Sequence, residues 1–207
     1  GGLYNKIPLT YITMLIGSLS LVGLPFLSGY YSKDLILEII YLNDYEYSFY
    51  FFVMGVIGVL FTSIYSLRLL VYVFHRDNVA DEKVIAHIHE SPSIMILPLV
   101  ILSIFAIFFG MFMKIIFTEF NFLEMWSSTM YVNKSLDATF ISQNVPVIFK
   151  KLPLLMIVIG TILILILYFS FKNLIPFLKS RLSFFYNFFK NKWYVDQLYE
   201  RVFIRPT

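Results

Sequence analysis

The stretch from Ser20 to Leu42, SLVGLPFLSGYYSKDLILEIIYL, places Gly, Pro, Ser and a Lys-Asp pair inside an apolar run that begins at Leu9. As one unbroken helix, the roughly 34 residues from Leu9 to Leu42 would rise about 50 Å, far beyond a hydrocarbon core of about 30 Å. The run must therefore bend, break or cross twice. Gly23, Pro25 and Gly29 lower helix propensity over residues 23–29, and Pro25 has no backbone N–H to donate. The piece from Lys33 to Leu42 is only about 15 Å long, so two half-helices meeting at an unwound linker fit better than two full spans. Irregular backbone at membrane depth is tolerated only where protein or a water-filled cavity covers it. The segment is expected to lie inside a larger assembly and to line a hydrated path.

The remainder of the 207 residues supports a membrane setting: 59% are hydrophobic, 14% are charged, and the mean hydropathy is +0.78. Besides residues 9–42, three stretches are long and apolar enough to span, 49–74, 94–113 and 153–171. The expected fold is all-α, an integral membrane helical bundle of about four spans whose first is discontinuous. We read residues 1–207 as a single membrane domain. A short interfacial helix is expected around FNFLEMWSSTMY, and an amphipathic interfacial segment at 183–204, where aromatic and charged residues are mixed. With no cysteine, the chain offers no disulfide, thiolate metal site or cysteine-held iron–sulfur cluster, so electron transfer must sit on other chains. The net charge of +3 is too small to argue for nucleic acid. It reads as loop asymmetry: Arg76, Lys83, Lys172, Lys179, Arg181, Lys190, Lys192, Arg201 and Arg205 lie on the tail side, against Lys114, Lys134, Lys150 and Lys151 opposite. The tail side is the expected cytoplasm or matrix side. The opening GGLYNK has no leader pattern and reads as a continuation, and the heavy use of Phe and Tyr leans towards an organelle genome.

A lysine inside such a run needs a reason. Ser32 is in the position of an N-cap for the second half-helix, with Asp34 in its first turn, where a carboxylate meets the positive end of the helix dipole. Low dielectric and the same dipole disfavour an ammonium at Lys33, while Asp34 and Glu38, which is four residues beyond Asp34 on the same face, favour it. A lysine held between opposing influences can gain and lose a proton near neutral pH, as a proton relay requires. The plainer alternative is that Lys33 snorkels to the lipid boundary, but snorkelling needs no broken helix. Asp34 and Glu38 can equally be read as a cap and a wall. Arg68, about one and a half turns from the end of its span, reads as a snorkelling residue. In the loop string HIHE, His87 and His89 lack a further nearby ligand and read as solvated rather than as a metal site.

The strings GGLYNKIPLTY, IGSLSLVGLPFLSGYYSKDLILE, LFTSIYSLRLL, HESPSIMILPLVILS and NKWYVDQLYERVFIRP resemble, in order, the later part of the chain 5 family of NADH:ubiquinone oxidoreductase, the distal antiporter-like subunits of respiratory complex I. The resemblance covers nearly the whole chain. It implies paired repeats, each with one broken helix, and a line of lysines, a glutamate and histidines across the membrane centre. By motif match Lys33 is the terminal lysine of that line, with Asp34 beside it as a relay partner and Glu38 as a modulator. It also implies proton translocation driven by quinone reduction elsewhere, with flavin and iron–sulfur clusters on partner subunits and none on this chain. The expected location is the mitochondrial inner membrane, with a bacterial plasma membrane as the alternative. The first repeat, the channel glutamate, the central lysine and the lateral helix have no counterpart here. The expectation is a split subunit, with a separate chain carrying the N-terminal part of chain 5 and a further one carrying the lateral helix, amid membrane lipids and other membrane subunits. The competing readings are a subunit of a multi-chain sodium/proton antiporter and a structural scaffold without proton chemistry.

Overall fold

A computed structural model describes residues 1–43, 45–77, 82–118, 144–170 and 179–204, arranged as two compact units, Gly1–Ile164 and Leu165–Thr207. The described residues are helical or irregular and contain no strand, as an all-α membrane bundle requires. The first unit contains α1 (Pro8–Val22), α2 (Ser28–Leu42), α3 (Ser48–Leu70, widening into a π-turn over Val71–His75), the short α4 (Glu82–Ala86), α5 (Ser93–Thr118) and α6 (from Val147). Among the described residues, three helices are long and apolar enough to cross a membrane: Ser48–His75, Ser93–Ile116 and Val147–Tyr168. The remaining apolar run is split into α1 and α2, so the interruption expected from Gly23 and Pro25 is present.

Two boundaries differ from the sequence reading. Helix α5 runs on to Thr118 and α6 begins at Val147, so Lys114 and Lys150 are helix residues and not loop charges. Charge density suggested a loop there. A helix accommodates such lysines by letting them emerge at its interfacial end, and Pro153 sits buried within α6 instead of opening it. The stretch FNFLEMWSSTMY lies outside the described residues.

The core of this unit gathers Val22, Leu37, Phe52, Val56, Val59 and Ile157. Tyr41 stacks on Phe149 at 4.4 Å between ring centroids, and Phe52 meets both rings edge-on, tying α2, α3 and α6 together. Close approach depends on small residues: a Cβ at Gly160 would collide with the Ser63 hydroxyl of α3, the small-residue packing that membrane helices favour. By contrast, Ile94 and Phe108 of α5 are 81% and 65% exposed, an apolar surface suited to lipid or to other protein.

The second unit contains α7 (Ser183–Lys190), a tight turn at Lys192–Tyr194, α8 (Val195–Tyr199) and a π-turn over Glu200–Ile204. Residues 192–194 all have left-handed backbone, with φ of 51°, 62° and 58°. Phe188 packs on Trp193 at 5.5 Å, and Lys192 pairs with Asp196 at 3.1 Å.

Candidate functional site

The break is built by two helix ends that cap each other. Helix α1 stops because Gly23 takes a left-handed conformation, φ 93° and ψ 39°, which turns its N–H to Leu19 O and Ser20 O while the N–H of Leu24 reaches Leu19 O. This is the usual glycine closure of a helix, and it leaves the carbonyls of Leu21 and Val22 without a backbone donor. Lys33 of α2 supplies one. Its Nζ donates to Leu21 O at 2.6 Å and approaches Val22 O at 3.5 Å. In the reverse direction, the N–H of Gly29, an orphan donor in the first turn of α2, bonds to Ser20 Oγ of α1 at 3.2 Å. A Cβ at Gly29 would collide with the Ser20 carbonyl oxygen, so this proximity needs glycine. Between the two ends, Phe26 is also left-handed, with φ 74°.

Helix α5 holds the break from a third side. Ser28 Oγ donates to Phe105 O at 2.9 Å and accepts from the N–H of Gly110 at 2.8 Å, inserting one hydroxyl into the backbone ladder of α5. A Cβ at Gly110 would meet the Cα of Ser28.

This geometry corrects two expectations. Helix α2 begins at Ser28, with Leu27 at its N-cap, so Ser32 is not a cap; its hydroxyl bonds back to Gly29 O at 3.3 Å. Asp34 is accordingly past the first turn, and only residues 23–27 are unwound. The reason is that an acceptor for a first-turn N–H comes from Ser20 of α1, which allows the helix to start earlier than its own sequence suggests. The electrostatics change with it. Lys33 is beyond the positive end of its own helix, and its ammonium rests at the carbonyl end of α1, where a helix dipole favours a cation.

Asp34 and Glu38 share one face of α2 with Tyr30, at successive fourth positions. Tyr30 stands one turn before Asp34, on the side nearer the break. A narrow crevice is lined by Asp34, Leu37, Glu38, Phe149, Lys150 and Pro153, and Lys114 lies 5.5 Å from the centroid of the Tyr31 ring. Sequence reasoning missed Tyr30, Lys114 and Lys150. Tyr30 was findable from its spacing to Asp34, whereas the two lysines are brought to α2 only by tertiary packing.

The remaining candidates lie elsewhere. Arg68 is exposed near the C-terminal end of its span, with its guanidinium 5.5 Å from the Tyr72 ring, and Arg76 stacks on the same ring at 4.9 Å. In HIHE, His87 Nδ1 lies 2.6 Å from Lys83 O, and His89 Nδ1 lies 3.2 Å from Glu90 O. The Glu90 carboxylate is engaged by α1: it accepts from the N–H groups of Leu9 and Thr10, at 3.0 and 3.2 Å, and from the Thr10 hydroxyl. Slight burial pushes this carboxyl up, but those three hydrogen bonds outweigh it and hold it below its ordinary value of 4.5.

Residues 1–62 match the family described as "NADH:quinone oxidoreductase/Mrp antiporter, TM". Over nearly all of its length the chain is similar to proteins named NADH-ubiquinone oxidoreductase chain 5. It is 38% identical to that of Phytophthora infestans over 96% of this chain and 30% of the relative. It is 36% identical to that of Chondrus crispus over 100% of this chain and 32% of the relative, and 37% identical to that of Dictyostelium citrinum over 96% and 30%. The chain thus spans less than a third of the length of these curated relatives, and its similarity to chain 5 is the one read from its strings above.

Proposed function

We propose that this chain works in a proton-translocating membrane-arm subunit of NADH:ubiquinone oxidoreductase, as a multi-pass protein of the mitochondrial inner membrane. It supplies the terminal lysine of a proton path driven by quinone reduction on other subunits. One observation carries the reading: the Lys33 ammonium sits on the released carbonyls of an interrupted membrane helix, with Asp34 adjacent in sequence. An amine in that place has a stable charged form, because the α1 carbonyl end receives it. It also has an accessible neutral form, because low dielectric at membrane depth disfavours the charge. The proton leaving Lys33 passes to Asp34 and from there along the same face of α2 towards Glu38. The direction is from the break to the less basic side of the membrane.

The wider reading concerns other polypeptides. Residues 1–164 act as the later part of the second antiporter-like repeat, and the tail as its extension. The flavin and iron–sulfur clusters come from redox subunits.

The family description also embraces Mrp-type antiporters, but relatives at 36–38% identity over nearly the whole chain bear the oxidoreductase name. Co-purification separates the two, since an intact complex holding this chain without flavin and iron–sulfur subunits would favour the antiporter. For the relay itself, Lys33→Met in the intact complex is expected to assemble and to lose most proton pumping per quinone reduced. Unchanged pumping in that variant would leave the chain with a scaffold role.

A further inference from the structure

Helix α7 is divided lengthwise by its sequence. In SFFYNFFK, Ser183, Tyr186, Asn187 and Lys190 recur at helical spacing along one side, while Phe184, Phe185, Phe188 and Phe189 occupy the other. Phe184, Phe185 and Phe189 are exposed, and Trp193 extends the aromatic side beyond the helix by packing on Phe188 and Phe189. The polar side is concave. Together with Lys179 and Ser180 it lines an open groove of about 380 Å³. The Lys179 ammonium stands 4.6 Å from the centroid of the Tyr186 ring, which holds one cation at the groove, and Lys190 supplies a second from the last turn of α7. No acidic residue occurs from Lys179 to Val195, and the first one after them, Asp196, is paired with Lys192.

A groove of this make-up suits an anion with several acceptor oxygens, because two ammoniums are joined there by the hydroxyl and amide donors of Ser183, Tyr186 and Asn187. The aromatic side fixes the setting, since a helix with a basic polar face and exposed Phe and Trp opposite is built to lie in a bilayer interface. Chain continuity agrees. About 15 residues separate Ser183 from Tyr168, the end of a helix apolar and long enough to span, a tether of at most about 50 Å. We infer that α7 lies in the membrane–water interface with its Phe side among acyl chains, and that the groove at Lys179, Tyr186 and Lys190 holds the phosphate of an anionic phospholipid. A zwitterionic headgroup fits less well, because its own cation would meet two ammoniums and no carboxylate. The site stands apart from the relay proposed above and does not depend on it.

The test uses the purified complex in vesicles doped with photoactivatable phosphatidylglycerol or phosphatidylcholine, the photoactive group on the acyl chain of both, and locates labelled peptides by mass spectrometry. Peptides covering residues 179–194 of the parent are expected to take up the glycerol probe about tenfold more than the choline probe, the scale of two basic residues at an anionic surface. Lys179→Gln/Lys190→Gln is expected to bring the two probes level, and Lys179→Arg/Lys190→Arg to keep the preference. Equal labelling by both probes in the parent overturns the headgroup site, and so does a preference that survives in the Gln variant. If neither probe labels these peptides, the interfacial placement falls as well, and a carbodiimide cross-link from Lys179 or Lys190 to a carboxylate of another subunit would identify a protein as the occupant. Should the Gln variant not assemble, the parent is read with about 0.5 M added salt, where a lost preference supports the site and an unaffected one counts against it.

Discussion

The ammonium of Lys33 in α2 stands 2.6 Å from the carbonyl oxygen of Leu21 in the last turn of α1, so the residue proposed to carry the proton also closes the end of the neighbouring half-helix. A charged donor makes a stronger hydrogen bond than a neutral amine, about 1.5–3 kcal/mol against about 1. Occupancy of Lys33 by a proton therefore tightens the break and its departure loosens it. Arginine separates the two duties, because a guanidinium keeps the charge and the donors but does not release a proton in proteins. Lys33→Arg is expected to assemble with near-parental thermal stability and to lose proton pumping. A variant that pumps at the parental ratio would show that release from this side chain is not a step of the path.

The break depends on backbone conformations that only certain residues supply cheaply. At Gly23, φ is 93°, and Gly23→Ala is expected to cost about 1–2 kcal/mol for placing a Cβ in a left-handed turn. Gly29 is different. Its φ is ordinary for a helix, but a Cβ would strike the Ser20 carbonyl oxygen, so Gly29→Ala must push α1 and α2 apart and disturb the bond between the Gly29 N–H and Ser20 Oγ. Thermal denaturation of the complex is expected to rank the variants parent, Gly23→Ala, Gly29→Ala in falling stability. Equal stabilities for the two alanine variants would remove the argument that close packing, and not conformation alone, selects Gly29.

Where the sequence is informative, the signal is local. Gly23 and Pro25 announce an interruption because they act on their own backbone, and the spans of α3 and α5 are legible because lipid demands unbroken apolar composition. What escapes is whatever a distant residue supplies. Ser32 looks like the cap of α2 only as long as Ser20, on another helix, is unknown as the acceptor for Gly29. Lys114 and Lys150 look like loop charges until α5 and α6 are seen to bring them to α2, Lys114 beside Tyr31 and Lys150 into the crevice with Glu38. The Lys-Asp pair was readable as a site, but not the carbonyl end of α1 that receives the lysine, since that contact follows from how the chain doubles through the break.

Ser28 offers a test of how firmly the break is held from α5. Its hydroxyl serves Phe105 O and the Gly110 N–H together, at 2.9 and 2.8 Å. Ser28→Ala leaves both groups without that partner inside the bundle and is expected to cost about 1–3 kcal/mol. Gly110→Ala is expected to cost more, because its Cβ would meet the Cα of Ser28, and backbone cannot yield as a side-chain tip can. The measurement is the midpoint of thermal unfolding of the assembled complex. A Ser28→Ala midpoint equal to the parent's would show that the α5 ladder closes by itself when the hydroxyl is removed.

The opposite end of α1 has no local cap. Ile7 at the N-cap has no polar side chain, Pro8 has no N–H, and the exposed donors of Leu9 and Thr10 are taken by Glu90 from across the loop. A carboxylate there also meets the positive end of the α1 dipole. Because these contacts hold the Glu90 carboxyl below its ordinary value of 4.5, the folded state binds its proton less readily than the unfolded chain does. The stabilisation is therefore fully present above about pH 4.5 and is lost as the pH falls through the lower folded-state value. Hydrogen exchange at Leu9 and Thr10 reads it directly. Glu90→Gln removes the charge but keeps one acceptor, so their protection factors are expected to fall about two- to fivefold at neutral pH, the size of one charge–dipole contact. In the parent the same loss is expected on acidification, and in Glu90→Gln that pH dependence should vanish. If it persists there, some other group near the start of α1 holds the helix end.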